Sequence, residues 1–547
     1  MQSNPSRPIP FLEKEGMNPS FPPAKREGRW TFTAAGLLLW MPFIVFAVIA
    51  GEDRLVRFFP DDAFYYLQPA VNFAANGLAS FDGVHPTNGF HPLNFLLIAG
   101  LALLVPKPLL LGATFILHSG LLVAAVMLMT SSYLSRLSIP LRILAAAIAM
   151  LPVFTLFILL CMGMEASLVV FCTVLLIAAW DRARESAFGS LAANLLLGLA
   201  IALFVMARLD LSLVLLFFFS YSVALLCFVN DANSRQIRLA AFSAIWLVPL
   251  FSMICFALVN YFRMGNPLPI SMAVKLWILL QAQTAGPLDG SGWGSATRYS
   301  LAGWGFVLLP LAASALYFAF LGHSRKAKES IGSSMFLLNL GNLVYYAYLT
   351  LAGNRVFRWY FAFPAACALA NWIWFAMLAG HRLTWRFTGR PIRHIAQLAV
   401  IFCMVMNLLV LNWAGNRAES VSYHLKKVAE MLNRYVGTAG VTATSDSGIV
   451  AFYAGGRVIN LDGLSNDFEY LRDVLQTGHY AAYFRGEGVT HFLVRDSLLL
   501  NPGPVASGRY QKAYTTLDPQ LVLHSEDELF RYAIPGHFQL FCFRLNS

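Results

Sequence analysis

Asp61 and Asp62 stand side by side in a polar stretch, 52–92, that also carries Tyr65, Asp82, His85, Asn88, His91 and several further aromatics. Adjacent carboxylates repel, so a pair kept together has a cation partner, a shared proton or a duty in proton transfer. The pair opens a segment, 62–76, with Phe64, Leu67 and Val71 at helical spacing, so an ordinary helix N-cap is the structural alternative to a general base. In HPTNGFHP, 85–92, two prolines and a glycine fix the path while His, Thr and Asn offer donors and acceptors. That chemistry suits a sugar or phosphate. Histidines six residues apart in an irregular loop match no recognised ligand spacing, although a divalent metal held together with the nearby acids stays an open alternative.

Other charges occur where charge is expensive. Glu165 begins one apolar run, Arg208 and Asp210 flank a turn between two more, and Arg358 begins another. Ionisable groups at such depth are functional or paired. Arg208 and Asp210 are therefore either a mutual ion pair or part of a site. In NYFRMGNPLPISMAVK, 260–275, Lys275 either meets a lipid phosphate or snorkels to the interface.

The elements that must position these groups are membrane helices. A chain of 547 residues that is 58% hydrophobic and only 12% charged is no soluble globular protein. Its net charge of +11 falls in short runs of Lys and Arg between apolar segments, as topogenic charge does, so nucleic acid is not an expected partner. Residues 1–29 are polar and Pro-rich and read as a disordered cytosolic N-terminus. The apolar run 30–50 is too long for a signal-peptide core and reads as an uncleaved anchor. Longer candidates follow at 108–134, 143–161, 166–180, 191–207, 211–229, 239–260, 301–321, 335–351, 360–379 and 395–413, with a shorter one at 93–105. If the short one does not complete a crossing, the basic segments 136–142, 181–185, 231–238, 323–328 and 381–394 all fall in the cytosol. The expectation is about 11 full crossings plus a re-entrant or half-length segment, within a range of 11 to 13 helices. The outer face then gathers the acid pair, 163–165, 208–210, a long loop 261–298, and 354–358.

From 414 the composition becomes that of a soluble domain. A helical pattern at 421–435 precedes β-like runs at 440–444, 449–453, 458–461, 491–495 and 539–544, which predicts a small α/β domain outside the cytosol. Its acids Asp446, Asp462 and Asp467 either contact an acceptor or are turn residues. Six of the seven cysteines lie in apolar segments and Cys542 in the tail, so no disulfide framework or metal signature follows.

The order of DDAFYYLQ (61–68), PTNGFHPL (86–93), GMEASL (163–168), ARLD (207–210), GNPLP (265–269) and RWYFAFP (358–364), closed by a soluble α/β tail, resembles bacterial integral-membrane glycosyltransferases of the type C superfamily, in their mannosyltransferase-like and arabinofuranosyltransferase-like branches. The chain departs from that pattern with ARLD in place of Arg-Pro-Asp and with Asn94 where an aromatic is common. The resemblance implies an all-α polytopic membrane domain, 30–413, with an extracytoplasmic α/β domain, 414–547, in a bacterial inner membrane. It implies transfer of a sugar from a polyprenyl-phosphate donor, among membrane lipids, to a hydroxyl of a glycan, lipid or protein acceptor, with no cofactor assigned and a divalent metal left open. Asp61 or Asp62, with a preference for Asp61, would be the general base. Lys275, Arg358 and Arg208 would hold the donor phosphate, and Tyr65, His85, Asn88, His91, Glu165 and Asp210 would contact substrate. The competing reading is a transporter or flippase of a lipid-linked or envelope glycan; no internal inverted symmetry supports it.

Overall fold

The structure, a computed structural model, describes residues 26–134, 137–150, 162–227, 232–284, 311–319, 333–351, 357–383, 390–500 and 512–545. Among these, six helices are long and apolar enough to cross a membrane: Trp30–Ile49, Lys107–Tyr133, Ala166–Glu185, Leu209–Cys227, Arg235–Met264 and Pro391–Gly415. Pro92–Leu104, Ile139–Ala149 and Leu191–Ala207 are apolar but shorter. Ser334–Leu351 and Ala362–Leu383 fall on the expected spans at 335–351 and 360–379. The basic run 323–328 and most of 301–321 lie outside the described residues.

The first helix packs between Lys107–Tyr133 and Arg390–Gly415, so the two sequence ends of the membrane part meet. Pro92 opens the 13-residue helix Pro92–Leu104, a position where its missing N–H is harmless. At 1.5 Å per residue that helix spans about 20 Å, short of a hydrocarbon core of about 30 Å. It matches the expected half-length segment.

Two expectations fail. The stretch 261–298 is not one long loop, because the preceding helix runs on to Met264 and a new one, Ile270–Thr284, carries Lys275 in its second turn. The new helix starts where it does because the Asn88 side chain accepts from Ile270 N at 2.8 Å and donates to Leu268 O at 3.2 Å, a cap supplied from another segment. The second failure is 449–453, which is the helix Gly448–Tyr453 and not a strand. A short apolar run buried on all sides carries no periodicity that separates the two.

After the helix Val421–Tyr435, the tail forms a five-stranded sheet in the order β2-β1-β3-β8-β7. Here β1 is Val441–Thr444, β2 Arg457–Asn460, β3 His491–Arg495, β4 Leu499–Leu500, β5 Lys512–Thr515, β6 Val522–His524, β7 Glu528–Ala533 and β8 Gln539–Arg544. Strands β2, β1 and β3 are parallel, β8 and β7 join antiparallel, and β4-β5-β6 form a separate antiparallel sheet. One apolar core runs from the bundle into this region: Phe64 meets Phe452 edge-on at 5.2 Å, and Ile449, Val450 and Leu425 belong to the same buried cluster as the membrane helices.

Close backbone approach fixes this docking. A Cβ at Gly89 would lie 1.8 Å from the Leu464 carbonyl oxygen, which must then move. Gly89→Ala is expected to cost on the order of 1–3 kcal/mol and to loosen the tail from the loop. Faster trypsin cleavage near Arg417 and a lower Tm in detergent would report it, while Gly100→Ala, whose Cβ meets nothing within 4 Å, serves as the control. Equal cleavage in the two variants would mean that the interface yields without cost.

Candidate functional site

The 3-10 turn Asp61–Ala63 leads into the helix Phe64–Asn76, and neither carboxylate caps that helix. Asp61 reaches instead to the C-terminal region. Its Oδ1 accepts from Ile449 N at 2.7 Å and its Oδ2 from Gly448 N at 3.1 Å, which satisfies the free amides opening Gly448–Tyr453. A side chain at 448 is excluded, since its Cβ would fall 2.3 Å from the Asp61 carbonyl oxygen. Asp62 has no hydrogen-bond or ion-pair partner among the described residues, and it lies within electrostatic reach of Lys275.

Burial pushes the Asp61 carboxyl up to about 6, although its two backbone donors pull it down. Burial and then the neighbouring Asp61 charge push Asp62 to about 7, against the opposing Lys275 ammonium. Near neutral pH Asp62 is thus poised between its protonation states, as a proton acceptor should be.

A second polar group joins three elements. Glu165, at the mouth of the helix Ala166–Glu185, takes Arg208 Nη1 at 2.7 Å on one oxygen and Tyr66 Oη at 3.0 Å on the other. Arg208 Nε also donates to Asp210 at 2.9 Å, and Tyr345 Oη donates to the other Asp210 oxygen at 3.1 Å. Glu165 and Arg208 are 1% and 2% exposed, so each buried charge is compensated across the 2.7 Å pair. The ion pair that the sequence left open is therefore present, and Glu165 extends it. The Arg208 guanidinium also stacks 4.0 Å above the Tyr360 ring, whose hydroxyl accepts from Lys275 Nζ at 3.0 Å. Arg358 opens the 3-10 turn Arg358–Phe361 that places Tyr360; its side chain lies outside the described residues.

The two histidines part company. His91 Nε2 sits 3.7 Å from Glu165, and its Nδ1 accepts from Leu209 N at 3.4 Å. His85 pairs with Asp82 at 2.9 Å, in a cluster that crosses to the C-terminal region: Arg457 Nη2 lies 2.7 Å from Asp82 and 2.6 Å from Glu487. Burial opposes it, yet the His85 and Arg457 donors hold the Asp82 carboxyl well below the usual carboxylate range. Among the described residues no group of three or more His, Cys, Asp or Glu is arranged to hold a metal ion. Asn88 serves backbone geometry, as described above. Asn94, whose role the sequence left open, donates to the Gly163 carbonyl at 3.0 Å.

Tyr65 Oη donates to Asp462 Oδ2 at 2.9 Å and accepts from Asn460 Nδ2 at 3.1 Å. Asp446 forms an ion pair with Arg495, and Asp467 is a turn residue whose carboxylate accepts from Tyr470 N. Sequence reasoning missed the partners that complete the site: Tyr66, Tyr345, Tyr360, Arg457 and the amides of 448 and 449. In a chain that is 14% aromatic, tyrosines give no local signal of a polar task.

A family described as a domain of unknown function, DUF8728, matches residues 412–534, the C-terminal region alone. Among curated proteins none matches the chain by sequence. Among solved structures the chain is similar to ArnT from Cupriavidus metallidurans bound to undecaprenyl phosphate, with a TM-score of 0.52 over 95% of this chain and 98% of that one at 10% identity. It is likewise similar to the same protein in the apo state, with a TM-score of 0.52 at 10% identity, covering 94% and 97%. Identity this low speaks to the fold alone, and over nearly the whole chain that fold is similar to the one in these two structures.

Proposed function

We propose that the protein transfers a sugar from a polyprenyl-phosphate donor to an acceptor hydroxyl at the extracytoplasmic face of the membrane, with Asp62 as general base. The observation that carries this reading is the division between neighbouring acids: Asp61 is spent on two backbone amides, while Asp62 is unpartnered among the described residues and within electrostatic reach of Lys275. The preference for Asp61 that the family resemblance suggested therefore passes to its neighbour. The architecture shared with ArnT, solved with undecaprenyl phosphate, supports the donor class.

In the proposed step the acceptor O–H gives its proton to an Asp62 carboxylate oxygen. The freed oxygen bonds the anomeric carbon, the bond from that carbon to the phosphate oxygen breaks, and the lipid phosphate leaves with the electron pair. Lys275 is the cation for that phosphate, because it is exposed and, among the described residues, its ammonium is hydrogen-bonded to a tyrosine hydroxyl and to no carboxylate. Arg208 has two carboxylates of its own and is a weaker candidate. The short helix Pro92–Leu104 would let the prenyl chain approach the site from the side.

Purified protein in nanodiscs, offered undecaprenyl-phosphate sugars and envelope acceptors, tests the reaction. Asp62→Asn should abolish transfer with folding intact, and Lys275→Ala should weaken binding of undecaprenyl phosphate roughly tenfold or more. Full activity of Asp62→Asn, or vesicle accumulation of a glycan with no covalent product, would refute the assignment. In Arg208→Ala, Glu165 stays buried without its partner, so the expected loss is roughly 3–5 kcal/mol of stability, read as a fall in Tm. The pH dependences should oppose each other. Asp61 and Asp62 have folded-state values of about 6 and about 7, above the unfolded value near 4, so their contribution to stability is full below about 4 and is lost as pH rises through 7. Transfer needs Asp62 deprotonated, so kcat/KM should climb through the same window.

A further inference from the structure

The C-terminal region matches a family to which no role is attached, yet it meets the acid pair directly. Asp462 lies just past β2. Its Oδ2 accepts from Tyr65 Oη at 2.9 Å and from Asp446 N at 3.2 Å, and Asn460 Nδ2 holds the same tyrosine oxygen at 3.1 Å. Tyr65 is 6% exposed and stands one turn of chain beyond Asp62, in the helix Phe64–Asn76. Asp61 is gripped by the amides of 448 and 449, twelve or more residues before Asp462 in the same domain. The turn that carries Asp62 is therefore held at both ends by the C-terminal domain.

We propose that Asp462 is a positioning residue of the active site, tethering the Asp62 turn through Tyr65 and setting the negative field in which Asp62 takes its proton, so that the C-terminal domain is a working part of the site and not a separable acceptor module. This rests on the reading of Asp62 as the base. The charged groups facing Asp62 come from four elements: Asp61 on its own turn, Lys275 on Ile270–Thr284, Glu165 at the start of Ala166–Glu185, and Asp462 after β2. Arg495 on β3 faces Asp61 and pairs with Asp446. Asp462 is the contribution of the C-terminal domain to the charges around Asp62, and it acts in the direction that keeps a proton on Asp62.

The test reads protonation of Asp62 without any sugar donor. Dicyclohexylcarbodiimide adds to the protonated carboxyl, so labelling of the Asp62 peptide against pH, followed by mass spectrometry on full-length protein in nanodiscs, gives its midpoint, expected at about 7 in the unaltered chain. Asp462→Asn keeps an acceptor for Tyr65 and removes the charge; the midpoint should fall by roughly half a pH unit or more. Tyr65→Phe keeps the packing and cuts the tether, and should move the midpoint the same way. Resistance of 414–420 to trypsin confirms that each variant is folded. A midpoint that stays in place in either folded variant overturns the proposal, because a scaffold role for the domain would leave it unmoved. Should the midpoints shift while no donor is ever consumed, the transferase reading fails and the positioning role of Asp462 stands.

Discussion

A carboxylate shut away from water must be given donors, and the pair of backbone amides that Gly448 and Ile449 offer to Asp61 is the contact on which the rest of this site depends. It requires glycine at 448, it requires the 448–453 segment to be a helix so that its first amides point outward unsatisfied, and it requires the C-terminal domain to press against the loop 52–92. With Asp61 so occupied, the repulsion between neighbouring acids falls on Asp62 alone. Two identical side chains thus take up different chemistry from one asymmetric contact.

The cations are divided in a parallel way. Arg208 is fixed by Glu165 and Asp210 and by the face of Tyr360, so its charge is neutralised locally. Among the described residues Lys275 has a hydroxyl partner and a nearby Asp62 charge. Tyr360 touches both cations, which makes it the spacer between a structural charge and an available one. Lys275 thus lies within electrostatic reach of Asp62 on one side of Tyr360 and the Arg208 ion pairs on the other.

Much of this was legible in the sequence and some was not, for physical reasons that differ by residue. The membrane helices announce themselves by length and apolarity, and 421–435 shows a clear helical period, so these were recoverable; 449–453 was not, because a short run of buried apolar residues reads equally well as strand. The Arg208–Asp210 pair could be suspected from sequence proximity, whereas Glu165 joins it from a separate span and no local pattern reveals that. His85 and His91, six apart, look like one constellation, yet the loop turns between them at Gly89 and sends each to a different carboxylate. The choice between Asp61 and Asp62 was beyond sequence altogether, since it is made by amides nearly four hundred residues further along the chain.

A site of this kind works against its own fold. Two buried acids that prefer to be protonated disfavour the compact state as pH rises through neutrality, so something else has to hold the loop and the domain together. The continuous apolar core does so, running through Phe64 and Phe452 and unaffected by titration, and so does the Asp82–Arg457–Glu487 cluster, where the acid is held low and is charged throughout the relevant range. That cluster gains strength as pH rises from the acid side, the opposite sign to the acid pair. The interface therefore combines one polar contact that stays on at neutral pH with another left poised. The C-terminal domain grips the loop at Asp61, Tyr65, Asp82, Thr87 and Gly89 together, and under the proposed role of Asp462 that grip keeps the field at Asp62 constant, because a field is only as constant as the position of the charges that make it.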